Sequence, residues 1–323
     1  FGIFDKVEAE PPARIVDECA QVVQAKGYDI IIGIGGGSSL DVAKGASIVA
    51  TNKGKVLDYA GTDVVPRSGL PKILIPTTAG TGSEVTRVFV VSDEAEKIKK
   101  AVYSDFVLAD VAIVDPLLTV SMPPTVTADT GMDALVHAIE SYVSVNATPF
   151  SDILAIEAIH LIAENLPAAY AKANNMEARF NMSLAATLAG MAFTSGGLGV
   201  VHALSNPLGM EYHLTHGRSN AVMLPYVVDC NKIGNLKKYA HITRAMGENI
   251  EGLSAYQAAE KLVVCLNRLL EVLNIARKIS AYGVSREDIP KFVESSMKIG
   301  RLFIWNPRNL TEEDVKNIYT SAL

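Results

Sequence analysis

Asp133 and His137 stand four residues apart, and His202 and His216 follow downstream, so one carboxylate and three imidazoles lie in a single stretch of chain. On a helix, a four-residue spacing projects two side chains from one face, where both can reach one ion. Imidazoles with one carboxylate suit a divalent metal such as Zn²⁺ or Fe²⁺, and ligand type alone does not choose between them. The remaining histidines are His160, His213 and His241. His160 and His241 sit in stretches of helical periodicity and read as packing or surface residues. His213 lies in the segment between His202 and His216.

A second group upstream could hold an anion. Gly33-Ile-Gly-Gly-Gly-Ser-Ser39 ends an apolar run and opens a helical one. Glycines there let backbone N–H groups approach a diphosphate, and the helix N-terminus adds partial positive charge. Gly35, Gly36, Gly37 and Ser38 would form the cradle. The pattern is neither G-x-G-x-x-G nor a Walker loop, because Lys44 does not directly follow a glycine. Thr77, Thr78, Gly80, Thr81, Gly82 and Ser83 form a further small, hydroxyl-rich loop at a strand end, where ligands of α/β sheets bind. Either loop, taken alone, reads equally well as a plain turn.

The surrounding pattern supplies elements to position these groups. Residues 13 to 26 have helical periodicity, and the apolar run from Tyr28 to Ile34 predicts a parallel strand buried on both faces. A helix follows from Ser39, then a strand over Lys72–Pro76, and shorter strands over Arg87–Ser92 and Val111–Asp115 with charged residues between them. From Pro124 onward the pattern is helix after helix, punctuated by Pro149, Gly196-Gly197, Pro207, Pro225, Gly283 and Pro307. The shift predicts an α/β dinucleotide-binding domain over residues 1–120 and an all-α metal-binding domain over residues 121–323. Strand, glycine turn and helix in succession make the first a Rossmann-like parallel sheet.

Composition narrows the function. With 323 residues, two domains are the natural division. A net charge of −6 without long basic runs argues against nucleic acid. Charges interrupt the apolar stretches before they reach the length of a membrane span. Cys19, Cys230 and Cys265 are widely separated, neither a metal clip nor a disulfide framework, which favours a reducing, cytoplasmic setting. Phe1 to Asp5 reads as the end of a strand, with the true N-terminus expected further upstream.

Four motifs then occur in order: Gly35-Gly-Gly-Ser-Ser-Leu-Asp-Val-Ala-Lys44, Pro76-Thr-Thr-Ala-Gly-Thr-Gly-Ser-Glu84, Gly131-Met-Asp-Ala-Leu-Val-His-Ala-Ile-Glu-Ser-Tyr142 and His216-Gly-Arg-Ser-Asn-Ala221. With them the chain resembles the iron-containing (group III) alcohol dehydrogenases over nearly its whole length. That resemblance implies metal ligands at Asp133, His137, His202 and His216. It places the cofactor diphosphate on Gly36 to Ser39, with Asp41 beside it, Thr77, Thr78 and Gly80 lining the crevice, and Lys99 as a further contact. It implies hydride transfer between NAD or NADP and a small primary alcohol or diol and its aldehyde. Fe²⁺ would polarise the substrate oxygen, Zn²⁺ being the alternative, in a homodimer or larger homo-oligomer with the pocket between the domains.

Two departures from the family stand out. Members commonly carry a proton-transferring histidine four residues after the third ligand, where this chain has Asn206; His213 or water would take over that role. The family also begins with roughly sixty more residues, which would carry the choice of NAD against NADP. Two other functions fit parts of the pattern. A lyase of the dehydroquinate-synthase type would need several basic residues for a polyanion, whereas Arg218 is the main cation near the ligands. A catalytically silent chain that binds nucleotide or metal would be consistent with Asn206.

Overall fold

The computed structural model describes residues 1–96 and 98–323. Contacts divide the chain into two compact units, Phe1–Thr119 and Val120–Leu323.

In the first unit, α1 (Ala13–Lys26) turns Ile15, Val16, Cys19, Ala20 and Val23 inward, the three-and-four spacing of one helical face. It ends at Gly27, whose left-handed φ of 66° lets its N–H reach the Gln24 and Val23 carbonyls. The strand β1 (Ile31–Gly35) leads directly into α2 (Gly37–Thr51). Next come β2 (Gly61–Thr62), β3 (Lys72–Pro76), β4 (Val88–Asp93), β5 (Ile98–Tyr103) and β6 (Val111–Ala112). β1, β3 and β6 form a parallel sheet in that order, with Ile32 opposite Ile73 and Leu74 opposite Ala112. A separate sheet runs β2-β5-β4, parallel between β2 and β5 and antiparallel between β4 and β5. Leu40, Ile48, Leu74, Phe89 and Val102 meet in the core of this unit.

Three expectations are corrected here. The apolar run around β1 is not buried on both faces: Ile31 is buried, but Ile32 and Ile34 are 55% and 60% exposed. Hydrophobicity shows that a strand can be covered, not how many of its faces are. The charged stretch after β4 contains a strand, β5, because Lys99 and Lys100 form ion pairs with Glu10 and Asp93 that accommodate their charge within a hairpin. Phe1–Asp5 carries no strand.

The second unit is helical. Its elements are α3 (Pro124–Val143), α4 (Pro149–Ala171), α5 (Met176–Gly196), α6 (Val200–Tyr212), α7 (His216–Asn231), α8 (Leu236–Ala245), α9 (Ala255–Val272), α10 (Ile289–Met297), α11 (Gly300–Ile304) and α12 (Glu312–Ala322). Pro149 starts α4 at a position where no N–H is needed, and Gly197 closes α5 with a positive φ of 82°. Pro207 and Pro225, expected as breaks, lie inside α6 and α7. Both are buried, and tertiary packing overrides the local cost of a missing backbone bond. α4 also corrects the reading of membrane-span length: its 23 residues are long and apolar enough to cross a bilayer. It packs on α3 and α5, buries Ala155, Ala158, Ile159, Ile162 and Leu166, and carries Asp152, Glu157 and Glu164.

Candidate functional site

In the first unit the two glycine-rich loops come together. The N–H of Thr77 donates to the carbonyl of Gly35 at 2.8 Å, joining the ends of β3 and β1. A Cβ on Gly37 would lie 2.7 Å from Thr81 Cγ2, so only glycine permits this approach. Gly36 is the N-cap of α2 and brings no side-chain acceptor to the first turn. Early N–H groups of a helix without such a cap are ready partners for phosphate oxygens. The donor set therefore fits a diphosphate on Gly35, Gly36, Gly37, Ser38 and Ser39, with Thr78 against Gly36.

Two residues of this group are engaged elsewhere. Asp41 does not offer its carboxylate to the loop mouth: Oδ1 accepts from Ser83 Oγ at 2.8 Å and Oδ2 from Val90 N at 3.1 Å. It braces the second loop and β4 against α2. Lys99 Nζ lies 2.6 Å from Glu10 Oε1, in an ion pair beside Ser38, whose Oγ accepts from the Glu10 N–H at 3.2 Å. Neither use could be read from sequence, because both partners are remote along the chain.

In the second unit α3 carries the centre of the other group. Asp129, Asp133, His137 and Glu140 fall at helical spacing along it, and all four are buried. His202 lies in the first turn of α6, and His216 is the first residue of α7. Three imidazoles converge on one oxygen: Asp133 Oδ1 is 3.9 Å from His137 Nε2, 3.9 Å from His202 Nε2 and 3.7 Å from His216 Nε2. The donor atoms of Asp133, His202 and His216 all lie within 4.8 Å of one another. The His137 ring stacks on that of His202, centroids 4.9 Å apart, and packs against Phe193.

The set fits a metal ion. Bonds of roughly 2.0–2.2 Å around a tetrahedral ion put neighbouring donors roughly 3.3–3.6 Å apart. The Asp133–imidazole separations of 3.7–3.9 Å need only a slight contraction to meet that, whereas His137 lies outside the group whose donors are all within 4.8 Å of one another and would have to draw in further. Burial pushes the Asp133 carboxyl up, but the imidazoles of His137, His216 and His202, with a hydrogen bond from Asn220, outweigh it and hold it at about 2. A carboxylate kept ionised in a buried setting is what a cation needs. The His216 side chain is 37% exposed, against 4–7% for the other three, so the group opens on the His216 side.

The sequence did not reveal how α3 holds the two histidine-bearing helices. Asp129 accepts from Thr215 Oγ1 at 2.7 Å and from Arg218 Nε at 2.6 Å, and Thr215 caps α7 by accepting from Arg218 N. Glu140 accepts from Val201 N at 2.6 Å and faces His202 Nδ1 at 2.6 Å, fastening the start of α6. Asn220 Nδ2 reaches both Asp133 Oδ1 and His216 Nε2. The available signal was a row of acidic residues within an otherwise apolar helix, which calls for partners. Of the other two residues singled out, Asn206 lies one turn beyond His202 on α6, and His213 stands exposed at the C-cap of that helix with a φ of 54°.

Residues 1–116 match the model of the family described as iron-containing alcohol dehydrogenase, and residues 127–323 that of the C-terminal region of the Fe-containing alcohol dehydrogenase family. The chain is 43% identical over 323 residues to long-chain-alcohol dehydrogenase 1 of Geobacillus thermodenitrificans, covering 99% of this chain and 81% of that protein. It is 42% identical over 322 residues to the NAD-dependent methanol dehydrogenase of Bacillus methanolicus, covering 100% of this chain and 84% of the relative. A crystal structure of 1,3-propanediol oxidoreductase superposes with a TM-score of 0.97 at 42% identity, covering 100% of this chain and 84% of that one.

Proposed function

The chain belongs to the iron-containing alcohol dehydrogenase family, and from that premise we propose that it interconverts a small primary alcohol or diol with its aldehyde. Asp133, His137, His202 and His216 would hold a divalent iron, and Gly35 to Ser39 with Thr77, Thr78 and Gly80 the diphosphate of NAD or NADP. The observation that carries this reading is the convergence of three imidazole Nε2 atoms on Asp133 Oδ1.

Iron held by these residues would supply Lewis acidity at the substrate oxygen, and a nicotinamide cofactor held by the glycine-rich loops would supply the hydride chemistry. Zn²⁺ suits the same ligands. The protein's own groups do the positioning. The buried carboxylate and imidazoles would hold the cation on α3, α6 and α7, and the partly exposed His216 side would admit a substrate. Asn206, one turn from His202, would orient a water, and the exposed His213 would pass the alcohol proton to solvent. Arg218, the cation a dehydroquinate-synthase-type lyase would turn on its polyanion, is already held by Asp129 at 2.6 Å, which favours a neutral substrate. In this reading the enzyme works in the cytoplasm as a homo-oligomer.

Metal analysis of the full chain, combined with NAD(P)H-linked turnover of short aldehydes, tests the proposal. His202→Ala and His216→Ala should each lose the metal and lower kcat by a factor on the order of a thousand. Retention of both metal and turnover in these variants sinks the reading.

A further inference from the structure

Glu140 touches none of the atoms that would face the ion, yet it is built into the site more tightly than a packing residue requires. Its two oxygens have separate tasks. Oε2 lies 2.6 Å from His202 Nδ1, and Oε1 accepts the N–H of Val201 at 2.6 Å. Val201 lies in the first turn of α6, whose N–H groups lack intrahelical partners, and a carboxylate there also meets the positive end of the helix. One side chain from α3 thus sets both where α6 begins and which way the ring of His202 faces.

The surroundings keep that carboxylate in place. Glu140 is buried and borders a small enclosed cavity shared with Val201, Asn231, Tyr239 and Asn306. Asn231 and Asn306 lock each other through paired amide bonds of 2.7 and 3.0 Å, forming a rigid polar wall. Gly199, the N-cap of α6, forms another side. A Cβ there would lie 3.0 Å from Glu140 Oε1, so a side chain at residue 199 would press the carboxylate to shift by a few tenths of an ångström.

We infer that Glu140 is a positioning residue for the metal centre: by accepting the Nδ1 proton of His202 it fixes the tautomer whose Nε2 lone pair faces Asp133, and so sets the affinity and geometry of the bound ion. An imidazole that donates its far N–H to a carboxylate is both oriented and made more basic toward a metal, and loss of such a partner lowers metal affinity by about 10–100-fold. Glutamine cannot replace Glu140. Two N–H donors converge on the side chain, and an amide has a single acceptor oxygen for them.

The inference rests on the metal reading above, and the test separates the two. Full-length wild type, Glu140→Gln and Gly199→Ala are titrated with Co²⁺ against a chromophoric chelator, and the d–d absorption of the bound Co²⁺ is recorded. NADH binding is measured alongside as a readout of the other site. Expected are a Co²⁺ affinity lowered about 10–100-fold and an altered absorption spectrum in Glu140→Gln, with NADH affinity unchanged. Gly199→Ala, which crowds Oε1 without removing any polar group, should weaken the ion less than Glu140→Gln does and shift the spectrum in the same direction. Should Glu140→Gln fail to fold, Gly199→Ala decides. Wild-type affinity and spectrum in the folded variants overturn the role of Glu140 while leaving the metal reading intact. Absence of Co²⁺ binding by the wild type overturns both.

Discussion

Asn220 Nδ2 donates to Asp133 Oδ1 at 2.7 Å and lies 3.2 Å from His216 Nε2, so one buried amide spans two of the four convergent groups. Asn220 sits one turn after His216 on α7, and Asp133 belongs to α3. The amide ties the helices together at the carboxylate oxygen on which all three imidazoles converge. Asn220→Ala should destabilise the protein by about 1–3 kcal/mol, because a buried ionised carboxylate loses a donor. It should also weaken the metal about tenfold. Urea unfolding and chelator competition measure the two effects, and a variant matching wild type in both would leave the amide without a role.

Gly217 brings α7 against α3. A Cβ at this position would lie 2.1 Å from the carbonyl oxygen of Asp129 and 2.6 Å from its carbon, and backbone cannot swing aside as a side chain can. Gly217→Ala is expected to cost about 1–3 kcal/mol through forced displacement of the helix start. Because His216 is the adjacent residue, metal affinity should fall as well. A thermal melt equal to wild type would show that α7 shifts without cost.

Lys44 closes the first unit rather than reaching toward a phosphate. Fully buried, its Nζ donates to Thr86 O at 2.9 Å, Thr86 Oγ1 at 3.0 Å and Val88 O at 2.9 Å, tying α2 to the start of β4. Burial draws its pKa down to about 8, against the opposing pull of Asp41 and Glu84. Lys44→Met leaves those acceptors without their donor and should destabilise this unit by about 3 kcal/mol. Trp305, the single tryptophan, lies in the second unit, so its fluorescence is a poor probe of the change. Hydrogen exchange at Val88 to Val90 is the direct one, and protection there equal to wild type would count against the brace.

Glu248 supplies a pH dependence. Its carboxyl is held below the ordinary glutamate range by the hydrogen bond from Lys261 Nζ, reinforced by Arg268, each 2.8 Å away. A folded pKa below the unfolded one means that the stabilisation is fully present above the unfolded value near 4.5 and is lost as pH falls through the folded value. Lys261 and Arg268 are themselves 35% and 62% exposed, so solvent screening limits the gain to about 0.5 kcal/mol. Glu248→Gln should lose that amount at neutral pH and converge with wild type in acid. A constant difference across that range would exclude the ion pair as its origin.

Much of the candidate site was legible from local spacing. Asp133 and His137 are one helical turn apart, and a helix converts that spacing directly into a shared face. The turn from β1 into α2 was equally plain, because an apolar run, a glycine cluster and a helical period succeed one another. β5 was hidden because Lys99 and Lys100 interrupt its apolar pattern, and their partners Glu10 and Asp93 come from elsewhere in the chain. Pro207 and Pro225 misled because a proline's local preference is weaker than the packing of a buried helix.

By itself the sequence determined the chemical inventory: a carboxylate and imidazoles suited to a divalent metal, a glycine turn suited to a diphosphate, and the change from mixed α/β to helical pattern. These are properties of residue type and short period, which survive without knowledge of neighbours. Only the tertiary structure decided that Glu140, Asp129 and Asn220 serve that inventory, that Asp41 is a brace, and that Lys99 is paired with Glu10. A buried polar group must find a partner, but which one depends on distances set by packing between elements far apart in the chain.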